Sequence, residues 1–322
     1  MINVLNAGGW YVGNTAILDW MDGFDDLTVV KGDFNVTRYE NGIMDIIAEK
    51  KIPKKIAMIR SQKLLCIKSI YYVSRIKIGD YTKRLLKPKT KHSYYAHYTF
   101  FKLYYEYLVK HEKSLLLKDY FDEVKLWKEF LYKQSFVACN KIKSKKNIIY
   151  QNPYFYSETF SKHEAIWPEL FFPYKSIFIY RDPIDQFSDI VNNGAHLDTS
   201  WPRFHAGTEN LDPAERFLTI SKKIFKSRME ISKNLGKDEL LIISFEDFLQ
   251  KHEEVSKKLK DFLSIEGDRD NNNKRFSVNK SLKNIGKGKF NIKAMSILNS
   301  KEHILQELYT IHNTLKNHKN SI

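Results

Sequence analysis

Apolar residues along this chain follow two spacings, one typical of strands and one typical of helices. Short apolar, β-branched or aromatic runs bounded by turn or charged residues predict buried strands at residues 2–5, 27–30, 147–150, 176–180 and 239–244. Helical spacing predicts helices at residues 15–21, 158–167, 184–192, 213–235 and 248–263. Because the strands are apolar on both faces and alternate with helices, we expect an α/β fold with a central, mainly parallel sheet flanked by helices.

Residues 50–146 depart from this alternation. They are rich in lysine and tyrosine and follow helical spacing at 99–112 and 119–139, so we interpret them as a helical insertion within a single domain spanning residues 1–322. On the second helix one stripe lies opposite the charged positions and consists of Tyr120, Val124, Trp127, Leu131 and Ser135. Residues 267–274 form a polar loop, and residues 296–315 resemble a closing helix.

The composition narrows the classes of protein. Of the 322 residues 43% are hydrophobic, which excludes global disorder. The net charge of +15 predicts an anionic ligand, a nucleic acid, an anionic membrane surface or simply a solvated basic surface. Two cysteines, the lack of a signal-peptide pattern and the lack of a long apolar run favour a soluble cytoplasmic protein, with peripheral contact at the inner membrane face left open.

The segment NVLNAGGWYVGNTAILDW, residues 3–20, predicts a strand, a glycine-rich turn and a helix. Backbone N–H groups in such a turn and at a helix N-terminus form a cradle for anions. No lysine follows the last glycine, so an ordinary ATPase or GTPase loop is disfavoured. A purely structural turn is an equal alternative. The candidate ligands of the anion are Gly8, Gly9, Gly13, Asn14 and Thr15.

The segment SIFIYRDPIDQFSDI, residues 176–190, places Arg181 at the carboxyl end of a predicted strand. Open α/β sheets bind ligands at that end of their strands. Arg181 and the hydroxyl of Ser188 together suit a phosphate monoester. The structural alternative is that Arg181 pairs with Asp182 or Asp185.

A third segment, ELLIISFEDFLQKHEEVSKKLKDFLSI at residues 239–265, indicates core and helix capping when taken alone. Together, GWYVGNT, YRDPIDQFS and SFEDFLQ…DFLSI resemble the sulfotransferases that use 3′-phosphoadenosine 5′-phosphosulfate (PAPS), in the family's order. IIYQNPYF at 148–155 resembles the family's strand ahead of the arginine corner. SLKNIGKGK at 281–289 resembles its late segment around the 3′-phosphate, which adds Ser281, Lys283, Gly286 and Lys287 to the nucleotide-binding candidates.

The resemblance covers residues 1–35 and 147–290 and departs from the family in two ways. The first loop has Trp10, Tyr11 and Val12 where the family carries a basic residue. Asp189 stands where the family has its serine after the arginine corner, with Ser188 one residue early. The resemblance implies a P-loop-type three-layer fold.

The resemblance also suggests the catalytic groups. Lys31 and Asp33, after the second strand, resemble the Lys–Glu pair of bacterial carbohydrate sulfotransferases. Lys31 is then a contact to the sulfuryl or phosphate group, and the base is Asp33, followed by Glu40 and His97 as alternatives. Arg38 and Tyr95 are candidate contacts to the sugar. The structural alternative is a polar loop with ordinary salt bridges, and aromatic packing around His97.

These observations predict sulfuryl transfer from PAPS to a hydroxyl of a cell-surface polysaccharide or glycolipid, with adenosine 3′,5′-bisphosphate as product and with neither a metal nor a nucleic acid as partner. A catalytically inactive binding protein of the same fold and a kinase-like nucleotide enzyme stay open as alternatives. A nucleic-acid-binding protein would account for the charge, but the chain has no recognised binding motif.

Overall fold

The structure of the chain is a computed structural model. It describes residues 2–8, 11–33, 41–84, 88–117, 120–138, 147–151, 166–197, 207–233, 235–269 and 276–322. Side chains are described over narrower ranges, which leave out, among others, those of residues 31–40 and 72–100.

A five-stranded sheet has the strand order β2-β3-β1-β4-β5. Strand β1 pairs in parallel with both β3 and β4, and β4 pairs in parallel with β5. This confirms the predicted α/β fold and the five predicted strands. The strands are β1 (Ile2–Gly8), β2 (Leu27–Asp33), β3 (Asn147–Gln151), β4 (Tyr174–Tyr180) and β5 (Leu240–Ser244).

The helices occupy most of the rest of the described chain. They are α1 (Asn14–Met21), α2 (Ile43–Ala48), α3 (Ile52–Arg84), α4 (Pro88–Leu117), α5 (Tyr120–Ala138), α6 (Ile166–Phe171), α7 (Pro183–Asn192), α8 (Pro213–Lys233), α9 (Phe245–Gln250), α10 (His252–Leu263), α11 (Val278–Leu282), α12 (Ile292–Asn299) and α13 (Glu302–Lys316), with a 3₁₀ turn at Gly288–Phe290.

The chain divides into two compact units. Met1–Val29, Lys143–Phe160 and Tyr174–Ile322 form one, here the sheet unit, and Val30–Ile142 with Ser161–Pro173 form the other, here the helical unit. The predicted insertion at 50–146 falls within the helical unit apart from its last four residues, 143–146, and its described part is helical as expected. That the chain behaves as a single domain stays a prediction.

In the sheet unit, helices cover both faces of the sheet. Alternate residues of a strand point to opposite faces, and β4 shows this directly. Ile177 and Ile179 belong to the core shared with α1, α9 and α10. Phe178 contacts Arg228 of α8, and Tyr180 contacts His312 of α13, on the other face.

The end of the chain covers the free edge of β5. The N–H of Ile242 donates to the carbonyl of Asn320 at 2.9 Å, and the N–H of Ile322 donates back to the carbonyl of Ile242 at 3.0 Å. Ile242 and Ser321 therefore form a parallel bridge. The outer backbone groups of β5 are partly paired in this way.

The helical unit has a core of aromatic rings with buried charges inside it. Tyr104, Tyr107, Trp127 and Phe130 pack ring against ring, with centroids 4.6–6.2 Å apart. Lys55 of α3 forms an ion pair with Glu123 of α5, and both are buried. Val124, Trp127 and Leu131 of the predicted apolar stripe are buried. No helix in the described ranges is both long and apolar enough to cross a bilayer.

Two helix predictions are wrong in their extent. The helix predicted at 248–263 starts earlier and is broken into α9 and α10. Ser244 starts it directly at the strand end, because its Oγ accepts from the N–H of Asp247 at 3.2 Å. At the break, the Nδ1 of His252 lies 3.0 Å from the carbonyl of Phe248, the acceptor that the N–H of residue 252 would use in a continuous helix.

The closing helix predicted at 296–315 is likewise two helices, α12 and α13. The first begins earlier because the side chain of Asn291 caps it, accepting from the N–H of Ala294 at 3.1 Å. The helix predicted at 158–167 lies mostly outside the described residues, and the described helix runs from Ile166 to Phe171.

Candidate functional site

The carboxyl ends of β1 and β4 lie side by side at the centre of the sheet. Gly8 of β1 pairs in register with Ile179 of β4. From β1 the chain continues to β2 on one side, whereas from β4 it continues to β5 on the other. Such a reversal opens a crevice at the carboxyl edge, where doubly wound α/β proteins bind their ligands.

The first loop enters this crevice through a strained turn. Tyr11 has φ 57° and Gly13 has φ 90°. A Cβ on Gly13 would lie 2.3 Å from Cδ2 of Phe245, so no larger residue fits without movement of that ring. Gly13 is the N-cap of α1 and provides no side-chain acceptor, which leaves the first N–H groups of α1 without a side-chain cap. Asn14 is buried and Thr15 is exposed.

Arg181 connects the parts of the crevice. Its Nη1 donates to the carbonyl of Tyr11 at 3.1 Å and to Oδ2 of Asp189 at 2.5 Å. Its Nη2 donates to the carbonyl of Asn284, in the late segment, at 3.0 Å. The guanidinium also lies over the ring of Phe245, 5.1 Å from its centroid. One buried cation therefore ties the first loop, α7 and the late segment together.

The Nε of Arg181 makes no hydrogen bond within the described protein. The side chain is 5% exposed, and the Nε is buried. A buried donor without a partner costs about 1–3 kcal/mol. The guanidinium therefore has a capacity for hydrogen bonding that the protein itself does not satisfy.

Asp182 does not pair with Arg181, contrary to the structural alternative considered above. It is the N-cap of α7: its Oδ1 accepts from the N–H groups of Ile184 and Asp185 at 2.9 and 3.1 Å. Its Oδ2 accepts from the hydroxyl of Tyr309 at 3.1 Å. Burial, together with the nearby Asp182, raises the pKa of Tyr309 above its ordinary value, so the phenol stays protonated and remains a donor.

Glu246 joins the ends of β4 and β5. Its Oε1 accepts from the N–H of Asp182 at 3.0 Å, and its Oε2 accepts from the hydroxyl of Ser244 at 3.0 Å. The segment SFEDF therefore holds two strand ends together. This agrees with the interpretation of residues 239–265 as a segment that contributes to the core and caps a helix.

Asp185 fixes the late segment against α7. Its two oxygens accept from the N–H groups of Gly286 at 2.6 Å and Gly288 at 2.7 Å. Gly286 has φ 74°, and a Cβ on Gly288 would lie 2.6 Å from the backbone of Ile184. The positive φ favours glycine at residue 286 and the close approach favours glycine at residue 288, so both glycines of NIGKGK present their N–H groups to one carboxylate. Asp185 pairs with backbone groups here and not with Arg181.

Ser188 and the late lysines are brought to the same corner but point to different partners. Ser188 is buried, and its Oγ accepts from Nδ2 of Asn291 at 2.8 Å. Lys283 and Lys287 are exposed, and Nζ of Lys287 donates to Oδ1 of Asn284 at 2.9 Å. Ser281 is half-buried in α11. Both lysines therefore flank Asn284, the residue that Arg181 ties to the first loop.

The structure does not test the catalytic candidates. Gly9, Arg38 and Glu40 lie outside the described residues. Lys31 and Asp33 lie in β2, and Tyr95 and His97 lie in α4, but their side chains are not among those described. Among the described residues, no group of three or more His, Cys, Asp or Glu side chains is placed to hold a metal ion. The base and the absence of a metal stay predictions.

Sequence reasoning missed three residues of this corner: Asp185 as a clamp, Phe245 under Gly13, and Asn291 against Ser188. Asp185 and Phe245 are inside the segments quoted above, yet nothing in those segments shows their partners. A cavity of about 50 Å³ beside Arg181 is lined by Gln186, Ser221, Arg228 and His312, among others.

No protein-family model matches this chain. No curated protein matches it either. Among solved structures, the chain is similar to the sulfotransferase domain from the Synechococcus PCC 7002 olefin synthase, with 13% identity, a TM-score of 0.48, and coverage of 97% of this chain and 94% of that one. It is also similar to the sulfotransferase domain from the curacin biosynthetic pathway, with 12% identity, a TM-score of 0.49, and 98% of each chain covered. These scores are too low for either match to decide the activity of this chain.

Proposed function

We propose that this protein is a sulfotransferase that moves a sulfuryl group from PAPS to a hydroxyl of a carbohydrate. One observation carries the proposal: Arg181 hydrogen-bonds both to Tyr11 of the first loop and to Asn284 of the late segment, at the carboxyl edge between β1 and β4. Three of the segments that resemble the PAPS-dependent family, namely the first loop, the arginine corner and the late segment, therefore meet at one crevice. That arrangement suits a nucleotide with phosphates at both ends.

The proposed reaction is an in-line displacement at sulfur. The acceptor hydroxyl oxygen bonds to sulfur, the bond from sulfur to the bridging phosphate oxygen breaks, and the hydroxyl proton passes to a base. Adenosine 3′,5′-bisphosphate leaves. Backbone N–H groups of the first loop and of α1 would hold the 5′-phosphate and stabilise its growing charge.

The 3′-phosphate would bind at the other side of the crevice. Arg181 has an unsatisfied Nε there, and Lys283 and Lys287 lie exposed on either side of Asn284. The ion pair with Asp189 must give way for the guanidinium to take a phosphate fully, since Nη1 already donates to this carboxylate. Asp189 is 37% exposed, so its carboxylate can turn into solvent.

The same ion pair favours a second candidate function. A carboxylate in the phosphate corner lowers the affinity for an anion, as expected of a protein that has kept the fold and lost catalysis. We therefore keep a catalytically inactive nucleotide- or glycan-binding protein as the alternative. The sugar acceptor rests on the likeness of Lys31 and Asp33 to the carbohydrate-type pair and on the aromatic residues of the helical unit.

Calorimetry with adenosine 3′,5′-bisphosphate and with ADP tests the donor. We expect the bisphosphate to bind and ADP to bind at least about tenfold more weakly, because ADP lacks the 3′-phosphate. The double variant Lys283→Gln/Lys287→Gln should weaken bisphosphate binding by about tenfold with an unchanged melting temperature. The matched control Lys226→Gln/Lys257→Gln removes two exposed lysines elsewhere on the sheet unit and should change neither quantity.

Equal binding of ADP and the bisphosphate would contradict the donor assignment. Turnover with radiolabelled PAPS and a panel of oligosaccharides then separates the two candidates. Binding without turnover on any acceptor supports the inactive alternative. If the wild type turns over and Asp33→Asn retains full turnover with unchanged bisphosphate affinity, the base lies elsewhere and Glu40 is tested next.

A further inference from the structure

The outward face of helix α3 in the helical unit carries apolar side chains, whereas the outward face of an ordinary surface helix is polar. Leu64, Ile67 and Tyr71 are 58%, 48% and 59% exposed. Residues three and four apart share one face of a helix, so these three side chains form a continuous apolar stripe. Ile59, Gln62 and Cys66, on the opposite side of α3, are buried instead. Single exposed apolar residues are normal on proteins, but a contiguous row marks an interaction surface.

The stripe continues beyond these three residues. Ala57 and Arg60 are exposed and fall on the same side of the helix. From residue 57 to residue 71 the face is about 20 Å long, at 1.5 Å per residue. We call residues 57, 60, 64, 67, 68 and 71 the α3 face.

The charged residues of α3 between residues 52 and 71 are all basic. Residues 52–71 contain five basic side chains (54, 55, 60, 63 and 68) and no acidic one. Lys55 and Lys63 are occupied by Glu123 and Glu112 within the helical unit. Arg60 and Lys68 are exposed, and neither has a carboxylate within ion-pair distance among the described residues. Within the part of the chain whose side chains are described, they stand beside the apolar stripe without an ion-pair partner.

We infer that the α3 face docks on a membrane surface that contains anionic lipids. Apolar side chains flanked by Lys or Arg are the composition of helices that lie in the lipid interface, with apolar groups among the acyl chains and cations at the headgroups. The charge of this face matches an anionic surface. Binding of this kind needs no membrane-crossing helix.

Two other occupants fit the α3 face less well. A second copy of this chain would place Arg60 and Lys68 against the same residues in a symmetric pair, and like charges would face each other. A nucleic acid would satisfy the two cations, but its phosphates would leave Leu64 and Ile67 without an apolar partner. The lipid interface is the surface that satisfies both parts of the face.

Co-sedimentation of the full chain with vesicles tests this inference. We use vesicles of phosphatidylcholine alone and vesicles with about a third phosphatidylserine, at physiological ionic strength. The wild type should sediment with the anionic vesicles and stay in solution with the neutral ones. Leu64→Glu/Ile67→Glu should lower the partition coefficient by tenfold or more. The control Val109→Glu/Leu197→Glu makes the same change of charge at two other exposed apolar positions and should lower it by clearly less.

The cations are tested separately. Arg60→Gln/Lys68→Gln should lower partitioning by about fivefold for each charge removed, and Lys226→Gln/Lys257→Gln should have a much smaller effect. Failure of the wild type to bind anionic vesicles overturns the inference, as does an equal loss for test and control pairs. Analytical ultracentrifugation tests whether a second copy of the chain occupies the face. If the wild type is a dimer, Leu64→Glu/Ile67→Glu is a monomer, and neither binds vesicles, the face belongs to a second copy. None of these results depends on the proposed sulfuryl transfer.

Discussion

In the sheet unit, the buried carboxylate of Asp185 accepts from two backbone N–H groups, whereas in the helical unit the buried carboxylate of Glu123 faces the ammonium of Lys55. The first arrangement joins helix α7 to the late segment, about a hundred residues further along the chain. The second joins two helices, α3 and α5. In one unit buried charge therefore shapes a crevice, and in the other it sets how helices pack.

The difference shows in what surrounds each charge. Asp185, Glu246 and Arg181 hydrogen-bond mainly to backbone groups at strand ends and in loops, so they fix the path of the main chain. Around Glu123 the neighbours are the rings of Tyr107 and Trp127, and burial raises the pKa of this carboxyl above its ordinary value. In the sheet unit the buried charges therefore hold backbone segments at the carboxyl edge, whereas the buried pair of the helical unit lies within its aromatic core.

The largest effect is expected in the helical unit. Lys55→Met leaves Glu123 without its cation in an apolar core, and losing one partner of a buried pair costs about 3–5 kcal/mol. The measurement is the free energy of unfolding in urea. The double variant Lys55→Met/Glu123→Leu removes both charges and should recover most of that loss. If the double variant is as unstable as the single one, packing and not charge is what Lys55 provides.

Asp185→Asn should have the next largest effect. An amide has one acceptor oxygen for the two N–H groups of Gly286 and Gly288, so one buried donor loses its partner, at about 1–3 kcal/mol. Asp189→Asn is the matched control: the same chemical change four residues later on α7, at a side chain that is 37% exposed. The amide oxygen of the control can still accept from Nη1 of Arg181, so we expect the control to lose less stability than Asp185→Asn. Equal losses would mean that Asp185 does not hold the late segment in solution.

Gly13→Ala should cost about 2 kcal/mol, since the residue has both a positive φ and the ring of Phe245 against it. Gly286→Ala separates the two causes. Gly286 also has a positive φ, but a Cβ there meets nothing within 4 Å. The Gly286→Ala variant should lose about 1 kcal/mol of unfolding free energy, from backbone strain alone. Thermal unfolding of both variants gives the difference, and a Gly13→Ala variant no less stable than Gly286→Ala would show that Phe245 moves aside freely.

The smallest effect concerns pH. Because the pKa of Glu123 is higher in the folded chain than its ordinary value of 4.5, the folded state binds this proton more tightly than the unfolded state. The stability from this group is complete below pH 4.5 and is lost as the pH rises through the folded-state pKa. Glu123→Gln should flatten the dependence of unfolding free energy on pH above 4.5. An unchanged slope would exclude Glu123 as its origin.

The sequence predicted the sheet and the crevice better than it predicted the contacts within them. Each strand is an apolar run bounded by polar residues, so its position is visible locally. The sequence also predicted the start of helix α7, because an aspartate followed by a proline is a common helix N-terminus. The pairing of Arg181 with Asp189 was not predicted, because Asp189 was interpreted only as a departure from the family's serine and not as a partner of the guanidinium.

Long-range pairing accounts for the other misses. Asp185 meets Gly286 and Gly288, and Ser188 meets Asn291, only because the late segment folds back onto α7. At the helix break at Lys251, the side chain of His252 lies against the backbone carbonyl of Phe248, a contact that apolar spacing does not reveal. The pattern of apolar residues therefore predicts helices and strands. The partners of buried polar groups cannot be predicted in this way, because they come together only when the chain folds.

The last residues of the chain pair with β5 at the rim of the sheet. An open strand at that rim would offer its peptide groups to any extended segment of a neighbouring molecule, which is the first step of aggregation. Deleting residues 318–322 removes this shield while leaving α13 in place. We therefore expect the shortened chain to precipitate at concentrations where the full chain stays dispersed, and an affinity tag fused to Ile322 to need a flexible spacer.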